Sequence, residues 1–204
     1  MAVKARQFYT TLNEVVKRAS KDEMLPPICA VQFVVKNNVL FMIATDRFRI
    51  AVGRIADTGL DDGEWVAGRF DVVSLLGTMR AHKLGSAKSD KRLVELTPGE
   101  TWKIATQHSV ELTLRADWDA DFPKVQHFIP NDWEQGVTVD GAQIGADKNY
   151  LYSFGTGKDG RPQVFASKPD ADFDVVGVVM PVRNPDGERT WERCASIREE
   201  LEGK

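Results

Sequence analysis

The residue types most often used for metal binding and catalysis are few in this sequence and widely separated. None of its three histidines, His82, His108 and His127, has a second histidine or a cysteine at the spacing of a metal site. The two cysteines, Cys29 and Cys194, stand far apart in unrelated contexts. This argues against a disulfide framework and a zinc site and favours a reducing cytoplasm. We therefore expect no metal and no cofactor.

Two other segments have part of the pattern of a ligand-binding loop. The carboxylates Asp117, Asp119 and Asp121 alternate as at the start of a calcium loop, but the central glycine and the later glutamate are missing. Residues 155–160, GTGKDG, are rich in glycine but lack the spacing of a phosphate-binding loop. Because no constellation of nucleophile and base is found either, the sequence predicts a binding protein that is not an enzyme.

The composition is that of a soluble globular protein. The chain has 204 residues, of which 42% are hydrophobic and 28% are charged. No apolar run approaches the ~18–20 residues that span a bilayer, and the start of the chain lacks the apolar core of a secretory signal. The net charge of −3 argues against a protein that is basic throughout, but it is compatible with a locally basic surface.

Two apolar strings far apart in the chain are the strongest local signals. Residues 43–50 read IATDRFRI, and residues 175–183 read VVGVVMPVR. Each is a β-prone run that stops abruptly in polar or conformationally restricted residues. This pattern is typical of a buried strand that delivers side chains to a surface. Neither string contains catalytic or metal-binding residues, so both indicate a binding site.

The elements that position these strings follow one pattern three times, a helix followed by short strands. The period is roughly 60 residues, although the letters do not repeat. In the first round, a helix with its apolar stripe at helical spacing precedes strands joined by a turn at Asn37-Asn38. In the second, a helix that starts near Phe70 stops before Gly85. The predicted helices cover residues 8–20, 70–83, 147–154 and 188–202, and the predicted strands cover residues 28–35, 39–55, 93–97, 101–106, 109–115, 136–144, 163–167 and 173–182.

Four segments resemble, in the same order, the bacterial DNA polymerase III β sliding clamp. Residues 44–50, ATDRFRI, resemble the Ala-Thr-Asp-Gly-His-Arg-Leu run of its middle domain, with Arg-Phe in place of Gly-His. Residues 121–130, DFPKVQHFIP, resemble its Phe-Pro-Asp-Tyr…Pro link. Residues 149–151, NYL, resemble its Asn-x-x-Tyr-Leu helix start with altered spacing. Residues 178–183, VVMPVR, are similar to its C-terminal Val-Val-Met-Pro-Met-Arg, but the leucine that usually follows is absent.

The resemblance implies an α+β DNA-clamp fold, in which half-units of a helix plus antiparallel strands repeat around a ring. Helices line the ring and sheets form its outside. The implied organisation is a clamp domain of two half-units over residues 1–121, a connector over 122–130, a third half-unit over 131–183 and an extra helical tail over 184–204. Family clamps carry three domains of two half-units, so the chain would be a shortened, divergent member of a kind that a phage encodes.

Sliding clamps hold polymerases on duplex DNA by topology, without bond-making chemistry. The resemblance therefore implies non-specific contact with the phosphates of double-stranded DNA. Family rings contain twelve half-units. A ring of this chain would therefore need four copies with three half-units each, or three copies if the tail completes a fourth half-unit in each chain. The candidate residues for the central hole of the ring are cations that lie off the apolar helix stripes or in the loop that follows the second helix. The alternative is that these cations belong to an ordinary solvated surface. The candidates are Lys17, Arg18, Lys21, Arg80, Lys83, Lys88, Lys91, Arg92 and Lys148.

The resemblance also implies a groove in which DNA polymerase and the clamp loader dock short linear peptides with apolar anchors. By motif or by position, the groove residues are Ile28, Thr45, Arg47, Phe48, Arg49, Ile50, Pro130, Val178, Met180, Pro181 and Arg183. The alternative is that Val178 and Met180 pack in the core, and Asp46 is assigned to the turn itself. A second reading of the whole chain is a non-ring adaptor that binds or competes for replication proteins without encircling DNA.

Overall fold

The computed structural model describes residues 2–86, 91–106, 111–125, 133–140, 151–157, 162–167 and 174–179, the last four ranges by their backbone. The helices in these ranges are α1 (Ala5–Val16), α2 (Arg69–Ala81) and a short 3-10 helix (Pro26–Ile28). The strands are β1 (Ala2–Lys4), β2 (Ala30–Lys36), β3 (Val39–Thr45), β4 (Arg49–Ile55), β5 (Gly63–Gly68), β6 (Leu93–Thr97), β7 (Thr101–Thr106), β8 (Glu111–Arg115), β9 (Trp133–Asp140), β10 (Leu151–Gly157), β11 (Pro162–Ser167) and β12 (Asp174–Val179). No helix among the described residues is long and apolar enough to cross a membrane.

The first two half-units exchange their leading strands. Strand β1 precedes α1 but pairs with β6 in the sheet β1-β6-β7-β8. Strand β5 precedes α2 but pairs with β2 in a larger, eight-stranded sheet that begins β5-β2-β3-β4. The backbone N–H of Ala5, at the start of α1, donates to the carbonyl of Arg92 at 2.9 Å. One period later, the N–H of Arg69 donates to the carbonyl of Cys29, also at 2.9 Å. The first two rounds of the predicted repeat therefore share one pattern of strand pairing.

The core lies between the two helices and the inner faces of both sheets. Phe8 and Leu12 of α1 and Met79 of α2 are fully buried, and they share one cluster with Phe33 of β2 and Trp102 of β7. The Phe33 and Trp102 rings pack with their centroids 5.0 Å apart across the two sheets. Burial of so many aliphatic and aromatic groups is the main stabilising term of such a domain.

A close approach of α1 to β4 requires a glycine at position 53. A Cβ at Gly53 would overlap Thr11 Cγ2 and lie 2.9 Å from Val15 Cγ2, both on the inner face of the helix. Because real Cβ atoms do not approach neighbours so closely, this position sets the depth at which α1 packs on the sheet.

Two chain reversals are explained by residues in the left-handed backbone region. Asn37 (φ 50°) and Asn38 (φ 66°) form the two-residue hairpin turn that the sequence predicts. Helix α2 ends at Ala81, and the chain then reverses at Lys83 (φ 56°), with the N–H of Leu84 donating to the carbonyl of Met79 at 2.9 Å. The predicted stop at Gly85 is thus two residues late. A Cβ at Gly85 would overlap the Tyr9 ring, so this glycine allows close packing instead.

The third round differs from its prediction. The predicted helix over residues 147–154 is wrong where the structure describes it, because Leu151–Gly157 is strand β10, paired on both sides with β9 and β11. Tyr and Phe alternate with small residues here, a pattern that suits a strand as well as a short helix. Strand β5 was not predicted either. The predicted helix over residues 188–202 lies outside the described residues, and the domain boundaries stay a prediction.

Candidate functional site

The two apolar strings lie side by side in the structure. Strand β12 pairs antiparallel with β4, so the larger sheet runs β5-β2-β3-β4-β12-β11-β10-β9. Val178 is opposite Ile50, and Val179 is opposite Arg49. The described end of β12 therefore reaches the turn at residues 46–48 that joins β3 to β4. The predicted groove residues Met180, Pro181, Arg183 and Pro130 lie outside the described residues.

The turn at residues 46–48 is held by side-chain hydrogen bonds. Asp46 Oδ1 accepts the backbone N–H groups of Phe48 at 3.2 Å and Arg49 at 2.9 Å, which confirms that Asp46 is structural. Asp46 Oδ2 accepts Arg49 Nε–H at 2.9 Å, and Thr45 Oγ1 donates to the Arg49 carbonyl at 2.9 Å. Arg47 has φ 78°, a left-handed conformation at the position where the clamp motif has glycine.

The predicted groove residues divide by burial. Arg47, Phe48 and Arg49 are exposed, and Phe48 keeps 54% of its surface in solvent. Thr45 and Ile50 are buried beneath them, whereas Ile28 is buried at the end of the short 3-10 helix. Three of the predicted groove residues are thus accessible at the turn, and Thr45 and Ile50 lie in the two strands that carry it.

An apolar cluster underlies the turn on the outer face of the larger sheet. Ile43, Ile50 and Val125 are its buried members, and half-buried Val34, Phe41, Val52 and Phe122 pack against them. Val125 and Phe122 come from the segment that follows β8. This segment is anchored by Trp118, whose N–H donates to the Val66 carbonyl and whose indole Nε1–H donates to the Pro26 carbonyl, both at 3.1 Å. Trp118 thereby ties this segment to β5 and to the short 3-10 helix.

The candidate DNA-binding cations that the structure describes form two groups at opposite ends of the helix pair. Arg80 Nε–H donates to Tyr9 Oη at 3.2 Å, so the end of α2 lies beside the start of α1; this bond also raises the pKa of Arg80. Arg92 belongs to the same end, since its guanidinium donates to the His82 carbonyl at 3.2 Å and its carbonyl accepts the Ala5 N–H. The first group is Arg80, Lys83, Lys91 and Arg92, and the second is Lys17, Arg18 and Lys21.

The positive charge is concentrated at the helix ends and not along the helix faces. Lys17 Nζ lies 2.9 Å from both carboxylate oxygens of buried Glu14, so its charge is partly neutralised within α1. The outward face of α2 carries Phe70, 82% exposed, and Val73, 42% exposed. The remaining candidate cations, Lys88 and Lys148, lie outside the described residues.

In the described part of the chain, no group of three or more His, Cys, Asp or Glu side chains could hold a metal ion. Burial raises the pKa of the Cys29 thiol, which favours the unreactive protonated form. A cavity beside Trp118 is lined by residues of three distant segments, of which only Asp119 and Asp121 belong to a pattern that is visible in the sequence.

No protein-family model matches the sequence. The structure is similar to the DNA polymerase III β subunit of Thermotoga maritima, with a TM-score of 0.63 at 16% identity, covering 90% of this chain and 65% of that one. It is also similar to the β subunit of Pseudomonas aeruginosa, with a TM-score of 0.66 at 13% identity, covering 90% and 66%. For the sliding clamp of Bacillus subtilis the TM-score is 0.63 at 13% identity, covering 90% and 64%.

These similarities show the fold. The chain has the mixed helix and antiparallel-sheet architecture of bacterial sliding clamps and spans slightly less than two thirds of their length. The resemblance drawn from four short sequence segments is therefore confirmed at the level of the fold.

Proposed function

We propose that this chain is a DNA sliding clamp, a replication processivity factor that encircles duplex DNA as a homo-oligomeric ring and tethers DNA polymerase and a clamp loader through a peptide groove. The pairing of Ile50 with Val178 carries this proposal. It sets side by side, within a clamp fold, the two strings that resemble the walls of the clamp's peptide site.

The chemistry of the groove suits a short peptide with apolar anchors. The exposed ring of Phe48 can bury further apolar area against such an anchor. Arg49 is held by Asp46 through part of its guanidinium, which orients the remaining N–H donors toward a peptide carbonyl or carboxylate. A rigid turn of this kind loses little conformational entropy when a partner binds.

The proposed contact with DNA uses the cations at the ends of α1 and α2. Lysine and arginine bind phosphates without reading bases, and this contact weakens as salt rises, which permits sliding. The groups at Arg80–Arg92 and Lys17–Lys21 are separated by about the length of α1, roughly 18 Å for its 12 residues. Two such groups would contact phosphates on both sides of a groove.

Two measurements test the proposal. Light scattering after size-exclusion chromatography should give an assembly of three or four chains, each of 22.8 kDa. Chains assembled around a nicked circular plasmid should then remain bound in high salt and dissociate after the plasmid is linearised. Equal loss from circular and linear DNA would contradict topological binding.

The second candidate is a non-ring adaptor that keeps the peptide groove. The apolar outward face of α2 favours it, because Phe70 and Val73 stand where a helix that lines a DNA channel would be expected to carry polar or basic side chains. A monomer that binds peptides and not DNA would establish this alternative.

A further inference from the structure

A second concave site lies on the outer face of the larger sheet, beside the apolar cluster under the groove. It has a volume of about 740 Å³, within the range of roughly 300–1,000 Å³ typical of ligand sites. Its walls come from β2, β5 and the segment that follows β8. The polar and aromatic side chains that define it are Gln32, Glu64, Trp118, Asp119, Asp121 and Lys124.

The floor of this cavity contains an acceptor without a donor. Gln32 is 3% exposed, and its side-chain Nε2–H donates to Glu64. Its Oε1 is buried and has no hydrogen-bond partner in the described structure. Buried acceptors are almost always satisfied, because an unpaired one retains the cost of its lost hydration. A donor group that enters the cavity and reaches this amide oxygen would remove that cost.

The charge of the cavity walls indicates the sign of the charge that a ligand would carry. Glu64, Asp119 and Asp121 supply three carboxylates against the single ammonium of Lys124. The nearby carboxylate of Asp117 is already paired with Arg115 at 2.8 Å, so it adds little. No described cluster has the geometry of a metal site. A cationic organic group with several N–H donors fits these walls.

We propose that this cavity binds the guanidinium of an arginine in the partner peptide, next to the apolar anchors that the groove takes. This rests on the proposed function and specifies its partner. A guanidinium can donate to Gln32 Oε1 and to a carboxylate at the same time, and its plane can lie against the rings of Trp118 and Phe122. Phe122 also packs against the apolar cluster, so the two sites share a wall.

Strand spacing predicts where the arginine lies in the peptide. The cavity is over β2 and β5, and the groove is over β4 and β12, two to four strands away. At about 4.8 Å per strand this is roughly 10–19 Å, which an extended peptide spans in about three to six residues. An arginine directly beside the anchors, or about ten residues away from them, should increase the affinity of the peptide much less.

The test compares two labelled peptides with identical leucine and phenylalanine anchors, one with arginine and one with the neutral isostere citrulline about four residues away. Fluorescence anisotropy should give at least fivefold tighter binding for the arginine peptide. The Asp119→Asn/Asp121→Asn variant should remove this difference, whereas Asp61→Asn/Glu100→Gln, which neutralises two exposed carboxylates outside the cavity, should keep it. Equal affinities for both peptides, or an unchanged ratio in the first variant, would overturn the proposal.

A separate titration distinguishes failure of the cavity from failure of the groove. N-acetyl-arginine amide should change the tryptophan fluorescence of the wild-type chain with saturation, N-acetyl-citrulline amide should not, and Trp118→Phe should lose the response. If neither peptide binds but this response is present, the cavity stands and the groove is wrong. Absence of the response overturns the cavity whatever the peptides do. Unchanged thermal unfolding of the Asn variant confirms that it is folded.

Discussion

Ile50 and Val178 are opposite each other on adjacent antiparallel strands, although they stand far apart in the sequence. This pairing joins the third round of strands to the sheet of the first half-unit. It also brings the end of β12 to the turn at residues 46–48, whose three exposed side chains project from a network of hydrogen bonds around Asp46. The proposed groove is thus formed by sheet continuity across the chain, and its geometry depends on the turn.

The strain in that turn gives a first prediction. Arg47 adopts φ 78°, which costs a residue with a side chain roughly 1–2 kcal/mol. Arg47→Gly relieves this cost but increases the freedom of the unfolded chain, so we expect a net stabilisation of about 0.5–1 kcal/mol in urea unfolding. Lys36→Gly, at an exposed strand end with negative φ, should destabilise the chain by about the same amount. Loss of stability in Arg47→Gly would show that the arginine makes an essential contact.

The sequence predicts those parts of the fold that local chemistry determines. The turn at Asn37-Asn38 needs two residues that tolerate positive φ, and asparagine is one of the few that do. Strands β6 to β8 alternate apolar and polar residues along their length, so they were also predicted. Such signals lie within a few consecutive residues of the sequence. Their interpretation therefore requires no knowledge of the strand with which each segment pairs.

The features that the sequence does not reveal depend on distant partners. Strand β5 has glycine at both ends and a short apolar stretch, and it becomes a strand through pairing with β2. The three-residue strand β1 is likewise defined by its pairing with β6. The cavity joins Gln32 to Trp118 and Asp121, so only the folded chain assembles it. The groove strings were recognisable because each is a β-prone run that stops abruptly and because both resemble a family motif.

The contact between α1 and β4 gives a second prediction. Gly53→Ala places a methyl group against Thr11 and Val15 in the packed core, and we expect a destabilisation of about 2–3 kcal/mol. Gly77→Ala is the matched control, because no atom lies within 4 Å of a Cβ there and alanine favours a helix. That variant should be stabilised by about 0.5–1 kcal/mol. Equal effects in thermal unfolding would contradict the packing described for α1.

The two cation groups give a third prediction, about DNA. Lys83→Gln/Lys91→Gln should weaken binding to duplex DNA and reduce the slope of log affinity against log salt by about 1–2, because each lost phosphate contact accounts for about 0.9. Lys17→Gln should have a smaller effect, since Glu14 already neutralises part of that charge. The measurement is a filter-binding series across salt concentrations. A larger effect of Lys17→Gln would show that the ion pair with Glu14 does not weaken the contact of Lys17 with DNA.

The exposed ring of Phe48 gives the last prediction. Truncation to alanine removes an aromatic surface that the folded chain leaves 54% exposed, so the free energy of unfolding should change by less than about 0.5 kcal/mol. Binding of a peptide with leucine and phenylalanine anchors should nevertheless weaken by about 1.4–3 kcal/mol, tenfold or more, because aromatic side chains dominate the energetics of such contacts.

Met24→Ala is the control for Phe48→Ala. Met24 is also a large exposed apolar side chain, 86% in solvent, but it lies in the loop before the short 3-10 helix and not at the turn. Peptide affinity measured by calorimetry should be unchanged in this variant. If both variants bind the peptide like the unmodified chain, the ring at position 48 is not a groove residue. If both weaken equally, the peptide binds through general surface hydrophobicity, since exposed apolar area is what the two positions share.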